Sequence, residues 1–273
     1  MNNDKLAMLV LSCDGYSDLW DDFFNLRDKY WADCPYKWYV VTESKDYQRK
    51  GVEVIKCGKE LNWAGRFRHA VNYINTDYYG LFLEDYFITD PIDSKLIEEL
   101  LNIMSRYDVS LLNMSDVFGT IVNSSEKYYV HDHLIKIPNN MLYGVSTASA
   151  IWRHDYLIAK LGDGDYSAWQ FEVDRYNEAQ SEKGYGGVLL CDDRMPFHVS
   201  KIPVVTQGMY TPAAIRFFKK KGVEINKAGR KVMSEWQYFI FSVKLKLSNV
   251  KVGKKFLRWV GATFFGMKYF TKA

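Results

Sequence analysis

Residues 81–90 read LFLEDYFITD: an apolar run passes directly into two adjacent carboxylates, Glu84 and Asp85, before an aromatic and an apolar residue resume. Like charges placed at the end of a buried-strand signal repel each other and lose hydration. Either the strand ends in an ordinary solvated acidic turn, or its carboxyl end opens into a cleft that needs negative charge. The neighbouring segments bear on the choice. Upstream, WAGRFRHAVNYI (63–74) carries apolar residues at helical spacing, and downstream Pro91 introduces a helical IDSKLIEELLNIMSRY (92–107).

The same alternation runs back to the start of the chain. KLAMLVLSC (5–13) is an unbroken apolar run of strand length. DGYSDLWDDFFNLRDKYW then sets Leu19, Trp20, Phe23, Phe24 and Leu26 at helical spacing, with Ser17 or Asp18 as the expected N-cap. KWYVVTE (37–43) and VEVIKC (52–57) read as further strands. Strands alternating with helices predict βαβ units, hence an α/β fold with a mostly parallel central sheet flanked by helices. Ligands of such sheets sit beyond the carboxyl ends of the strands. Asp14 and the Glu84–Asp85 pair both lie at such ends, where they would face one crevice.

The second half is less regular. VSLLNM (109–114) and YYVHDHLIKI (128–137) read as strands, and STASAIWRHDYLIAKL (146–161) as a strand or turn running into a helix. DGDYSAWQFEVDRYNEAQSEKG (163–184) begins polar and becomes a helix with Phe171, Tyr176 and Ala179 inward. His131 and His133 either chelate as a pair or share one face at a strand edge.

Composition sets the outer limits. The 273 residues are 48% hydrophobic and 25% charged, the balance of a globular chain, and the 16% aromatic share suits either stacking sites or a core. Cys13, Cys34, Cys57 and Cys191 show no metal-ligand spacing, no apolar leader opens the chain, and no run of about 18 apolar residues is present, so a cytoplasmic protein with reduced thiols is expected. The net charge of +3 hides an asymmetry: residues 236–273 carry eight Lys or Arg and no acid, leaving 28 basic against 33 acidic residues in the rest. The expected organisation is a catalytic domain over 1–235 and a basic, aromatic tail over 236–273 that associates with the anionic inner face of the cell membrane. No nucleic-acid-binding module accompanies the charge.

The order of LAMLVLSCD, LNWAGRFRHAVNYINTDYYGLFLEDYF and DYSAWQFEVDRYNEA resembles that of GT-A glycosyltransferases, especially inverting family 2, most closely over 63–90 and more broadly over 5–210. Arg68 stands where that family has its Arg, although His69 replaces the Asn that follows. The resemblance implies a GT-A fold and a hexosyltransferase-type enzyme. Its donor would be a nucleotide-diphosphate sugar, and its acceptor a glycan or lipid-linked precursor of bacterial lipopolysaccharide or capsule. In place of the family's DxD the chain has Glu84 and Asp85. Asp85 would bind Mg²⁺ or Mn²⁺ with His198 completing the shell, or else Arg68, Lys201 or Arg216 would neutralise the diphosphate without metal.

The other roles follow from the same resemblance. Asp14 would contact the base or ribose, or simply cap a helix beside Gly15. Arg66 and Arg68, two apart on a helix, cannot share a face, so one would reach phosphate while the other is solvated. Glu172, with Asp174 second, would be the base that deprotonates the acceptor, and Trp169 would stack on the acceptor ring. Gly208 and Tyr210, in VVTQGMYTPAAIRFFKKKG (204–222), would belong to a late loop closing over the diphosphate. Two rivals remain. A nucleotidyltransferase would use a similar sheet, but that class usually carries an Arg or Lys in the loop after its first strand, and SCDGYSDLW has none. A non-catalytic, membrane-peripheral binding protein would use the acidic pair merely to end a strand.

Overall fold

The computed structural model describes residues 5–116, 119–227 and 229–248, and the chain divides into two compact units, Met1–Lys201 and Ile202–Ala273. The boundary expected at 235/236 falls inside the second unit, and residues 249–273 of the expected tail lie outside the described residues.

In the first unit, β1 (Leu6–Leu11) leads through a 3-10 turn (Asp14–Leu19) into α1 (Trp20–Tyr30), followed by β2 (Lys37–Thr42), β3 (Val52–Lys56), α2 (Trp63–Ile74) and β4 (Tyr78–Leu83). Then come α3 (Ser94–Arg106), β5 (Val109–Asn113), β6 (Tyr128–His131), β7 (Leu134–Lys136), β8 (Ala150–Arg153), α4 (His154–Leu161), α5 (Ala168–Ala179) and β9 (Val188–Asp192). They build a nine-stranded sheet in the order β3-β2-β1-β4-β8-β5-β9-β7-β6. The β1–β2, β2–β3, β1–β4 and β5–β9 pairs are parallel, whereas β8 runs against both β4 and β5 and β7 against both β6 and β9. The expected α/β class and mostly parallel sheet are therefore present.

Side-chain alternation explains why the first strands are apolar throughout: both faces are covered. Ala7, Leu9 and Leu11 point to one side, joining Tyr39, Val41, Tyr79 and Leu81 in a core with Phe67 and Val71 of α2 and Phe171 of α5. On the opposite side Trp38 lies 5.4 Å from Phe82, and Phe23 of α1 lies 5.8 Å from Phe82 and 5.9 Å from Trp38. Gly80 leaves room there for the end of the side chain of its strand partner Met8, whose Sδ and Cε lie 2.6 Å from where a Cβ would stand.

Several local expectations are corrected. The N-cap of α1 is Leu19, with no side-chain cap, and Ser17 instead donates to the Asp14 carbonyl at 2.9 Å inside the 3-10 turn. Residues 128–137 form a hairpin rather than one strand, with Asp132 and His133 in its turn. His131 therefore ends β6, while His133 pairs with Asp193 at 2.9 Å. Strand β9 has no counterpart in the sequence reading. It is short and follows glycines 184, 186 and 187, all at positive φ, so it looks like the continuation of a loop.

The second unit contains β10 (Val205–Thr206) and β11 (Met209–Tyr210), an antiparallel pair turning at Gln207 and Gly208, both with positive φ, as a tight hairpin requires. Next come α6 (Pro212–Lys220) and α7 (Glu235–Ser248). Residues 204–222 are thus a hairpin and a helix, not one closing loop. Pro212 occupies the first turn of α6, and Thr211 caps it by accepting from the Ala214 amide at 3.2 Å.

Candidate active site

The strand order 3-2-1-4 reverses direction between β1 and β4, and the carboxyl ends at such a switch point form a crevice. Leu11 of β1 is in register with Leu83 of β4. The segments that leave these strands, Ser12-Cys13-Asp14 and Glu84-Asp85, therefore emerge side by side.

Asp14 is fixed by the β2–β3 connection. Its Oδ1 accepts from the Thr42 hydroxyl (2.9 Å) and the Ser44 and Lys45 amides (2.9 and 3.0 Å), and its Oδ2 accepts from the Ser44 hydroxyl (2.5 Å). Desolvation raises the Asp14 pKa, but the donors from Ser44, Lys45 and Thr42 outweigh it and hold the carboxyl well below the usual range. Asp14 consequently ties the turn after β1 to the β2–β3 connection. The Asp14 amide in turn donates to Glu43, whose other oxygen takes Arg66 Nη1 at 2.9 Å. The Arg66 and Glu43 side chains are only 12% and 18% exposed. Lys45 extends its Nζ to the Ser17 hydroxyl at 2.5 Å, so the turn after β1 receives a lysine from the next loop.

Cys13 reports the crowding. Its thiol is pushed up first by burial and then by Glu84 and Glu43, with Arg66 opposing. Tyr86, two residues past Glu84, is likewise pushed up by burial and then by Asp85, Glu172 and Glu84, with a Thr147 hydrogen bond opposing. Glu172 of α5 thus joins the acidic pair of β4 around one tyrosine. The amide and hydroxyl of Thr147 both donate to Glu172 Oε1 at 2.7 Å, and burial outweighs them to raise the carboxyl pKa.

The structure therefore brings together Asp14, Arg66, Glu84, Asp85 and Glu172, along with Glu43, Lys45, Tyr86 and Thr147, which the sequence reading did not single out. Arg68 is engaged elsewhere, donating to the Gly162 and Gly164 carbonyls at 2.7 and 3.0 Å. The same loop contributes Asp165, which accepts from the Asn62 and Gly65 amides at 2.9 Å and so satisfies the start of α2. Asp174 accepts from Gln170 one helical turn away, and Trp169 stands 71% exposed on the first turn of α5. The His198 backbone has φ 43°, and its carbonyl takes both the amide and the hydroxyl of Thr89 at 2.8 Å. Gly208 and Tyr210 belong to the second unit, where the Tyr210 hydroxyl donates to the Asn226 carbonyl at 3.0 Å. Among the described residues, no group of three or more His, Cys, Asp or Glu is placed to hold a metal ion.

Glu172 yields a pH-dependent prediction. Its raised folded pKa means that its contribution to stability is present below the unfolded value of about 4.3 and is lost as pH rises through the folded value. Glutamine accepts the same two Thr147 bonds and stays neutral. Glu172→Gln should therefore raise the melting temperature by about 2–4 °C at pH 8 and by almost nothing at pH 4. Thermal melts at the two pH values check this, and equal shifts at both would refute it.

Neither a family profile nor a curated protein matches this sequence. Among solved structures it is similar to a cytidylyltransferase from Leptospira borgpetersenii serovar Hardjo-bovis (12% identity, 66% of this chain and 74% of that one, TM-score 0.39). It is similar also to a UDP-glucose pyrophosphorylase complexed with UDP-glucose (8%, 69% and 89%, TM-score 0.38) and to the bifunctional IspDF of Campylobacter jejuni (14%, 62% and 46%, TM-score 0.31). The chain spans under half of the IspDF protein. These neighbours are nucleotidyltransferases, which corrects the family 2 glycosyltransferase expectation. At these identities the likeness concerns fold, so the chemistry has to rest on the chain's own crevice.

Proposed function

We propose that the chain is a nucleotidyltransferase that joins a nucleoside triphosphate to a phosphorylated small molecule such as a sugar phosphate. An acceptor phosphate oxygen attacks the α-phosphorus, the bond to the β-phosphate oxygen breaks, and pyrophosphate leaves. The attacking phosphate is already ionised, so catalysis rests on positioning and charge neutralisation rather than on a strong base. The observation that carries this reading is the delivery of Lys45 and Arg66 to the turn after β1, where a triphosphate needs cations. The basic residue that SCDGYSDLW lacks is supplied through space.

Each group has a task in this reading. Arg66 would exchange Glu43 for phosphate oxygens, and Lys45 would meet the triphosphate from the Ser17 side. Magnesium needs one or two carboxylates when substrate phosphates complete its shell, so Glu84 and Asp85 suit it without a three-ligand cage. When bound, the ion would offset charge developing on the phosphates. Glu172, whose carboxyl pKa burial raises, would hydrogen-bond the acceptor.

The reaction is testable in both directions. With Mg²⁺, one of ATP, CTP, GTP or UTP should release pyrophosphate when a sugar-phosphate panel is added. The matching nucleotide sugar should regenerate triphosphate when pyrophosphate is supplied. Absence of turnover in both directions, together with no saturable triphosphate binding, would overturn the reading.

A further inference from the structure

Helix α7 presents an apolar stripe to solvent. Trp236, Phe239, Ile240 and Val243 are 67%, 57%, 37% and 37% exposed, and spacings of three, four and seven residues place them on one helix face. The Trp236 and Phe239 rings stack at 5.7 Å, so the stripe is continuous rather than a scatter of single side chains. Lys244, Lys246 and Leu247 follow in the sequence. A contiguous exposed patch of this kind marks an interaction surface.

Charge indicates the partner. Residues 202–273 hold 15 Lys and Arg against two acids, Glu224 and Glu235, a net +13, whereas residues 1–201 hold 21 against 31, a net −10. Glu235 is itself paired with Arg216. From Trp236 onward there are eight Lys or Arg and no acid. A second copy of this unit would set +13 against +13. Nucleic acid would answer the charge but offers no hydrocarbon for Ile240 and Val243. A lipid surface with anionic headgroups answers both properties at once, with aromatic rings settling at headgroup depth and basic residues held by the surface potential. Among the described residues no helix is long and apolar enough to cross a membrane.

We infer that α7 docks the protein on an anionic bilayer, lying in the plane of the surface with Trp236, Phe239, Ile240 and Val243 entering the boundary between headgroups and acyl chains. This is independent of the reaction assigned to the first unit. Flotation of the full chain with vesicles of phosphatidylcholine, alone or mixed with phosphatidylglycerol, tests it. Binding should require the anionic lipid and weaken in high salt. Trp236→Ser/Phe239→Ser should weaken it by about tenfold or more without lowering the melting temperature, since both side chains are exposed. Ile240→Ser/Val243→Ser provides a second, independent pair. The inference is overturned if the wild-type chain ignores anionic vesicles at low salt, or if both double variants bind as it does. It is equally overturned if the lipid-free chain is a dimer that either pair converts to monomer, because the stripe is then covered by a second copy.

Discussion

Asp85→Asn is expected to lower pyrophosphate release by about 10²–10³-fold while leaving the protein as resistant to heat as the wild type, or slightly more so. Asp85 leaves β4 at the switch point beside Glu84, and with Glu172 these carboxylates crowd around Tyr86. Removing one negative charge from such a group relieves repulsion, which sets the expected direction of the melting temperature. Under the proposed nucleotidyl transfer the rate would fall, because asparagine would offer a magnesium–triphosphate complex one weak oxygen where aspartate would offer a charge. The loss corresponds to about 2.7–4 kcal/mol of transition-state stabilisation. Steady-state assays across a magnesium series, paired with thermal melts, separate the two effects. An unchanged rate would remove Asp85 from the mechanism, and a collapse in melting temperature would make its role structural.

Trp38→Ala carries the largest expected cost to the fold, about 3–5 kcal/mol, or a fall of roughly 6–20 °C in melting temperature for a chain of this size. The indole is fully buried. It meets Phe23, Phe24, Trp31 and Phe82 at ring-centre distances of 5.9, 5.9, 6.0 and 5.4 Å, and its Nε1 donates to the Cys34 thiol at 3.3 Å. Several aromatic rings lose a partner at once, and alanine cannot refill the space. Differential scanning calorimetry gives the number; a drop under about 1 kcal/mol would mean that the α1 face of the sheet repacks freely. The aromatic excess in the composition, which suited either stacking sites or a core, is on this face a core.

What the sequence disclosed was whatever local periodicity encodes. Helix 63–74 was legible residue for residue because its apolar positions repeat within the segment. Strands β1, β2 and β4 were legible because burial on both faces leaves long apolar runs, and the edge strand β3 because its valines alternate with Glu53. The hairpin at 128–137 was not, since Asp132-His133 lacks the Asn-Gly or Asp-Gly signature of a two-residue turn. Asp14, Glu84 and Asp85 were singled out from their position at strand ends. That Arg66 faces Glu43 while Arg68 braces the 162–164 loop depends on partners 23 and about 95 residues away, which no local pattern encodes. Lys45 was not singled out for the same reason, since its contact with Ser17 spans 28 residues.

Strand β8 sets the order in which the sheet can be completed. It is residues 150–153, yet it sits between β4, finished at residue 83, and β5, finished at residue 113. A nascent chain halted near residue 145 would already hold every strand from β1 to β7, but neither β8, which joins β4 to β5, nor β9, which joins β5 to β7. The backbone edge of β4, along the apolar run Tyr78–Leu83, would then stand open to any other extended chain. Closure requires β4–β8 contacts some 70 residues apart in sequence, as long in range as the β1–β4 pairing, and it has to wait for residues 150–153. For this protein the interval between synthesis of β5 and arrival of β8 is when aggregation threatens most, and Ala150–Arg153 is the segment whose deletion should leave the chain insoluble rather than merely inactive.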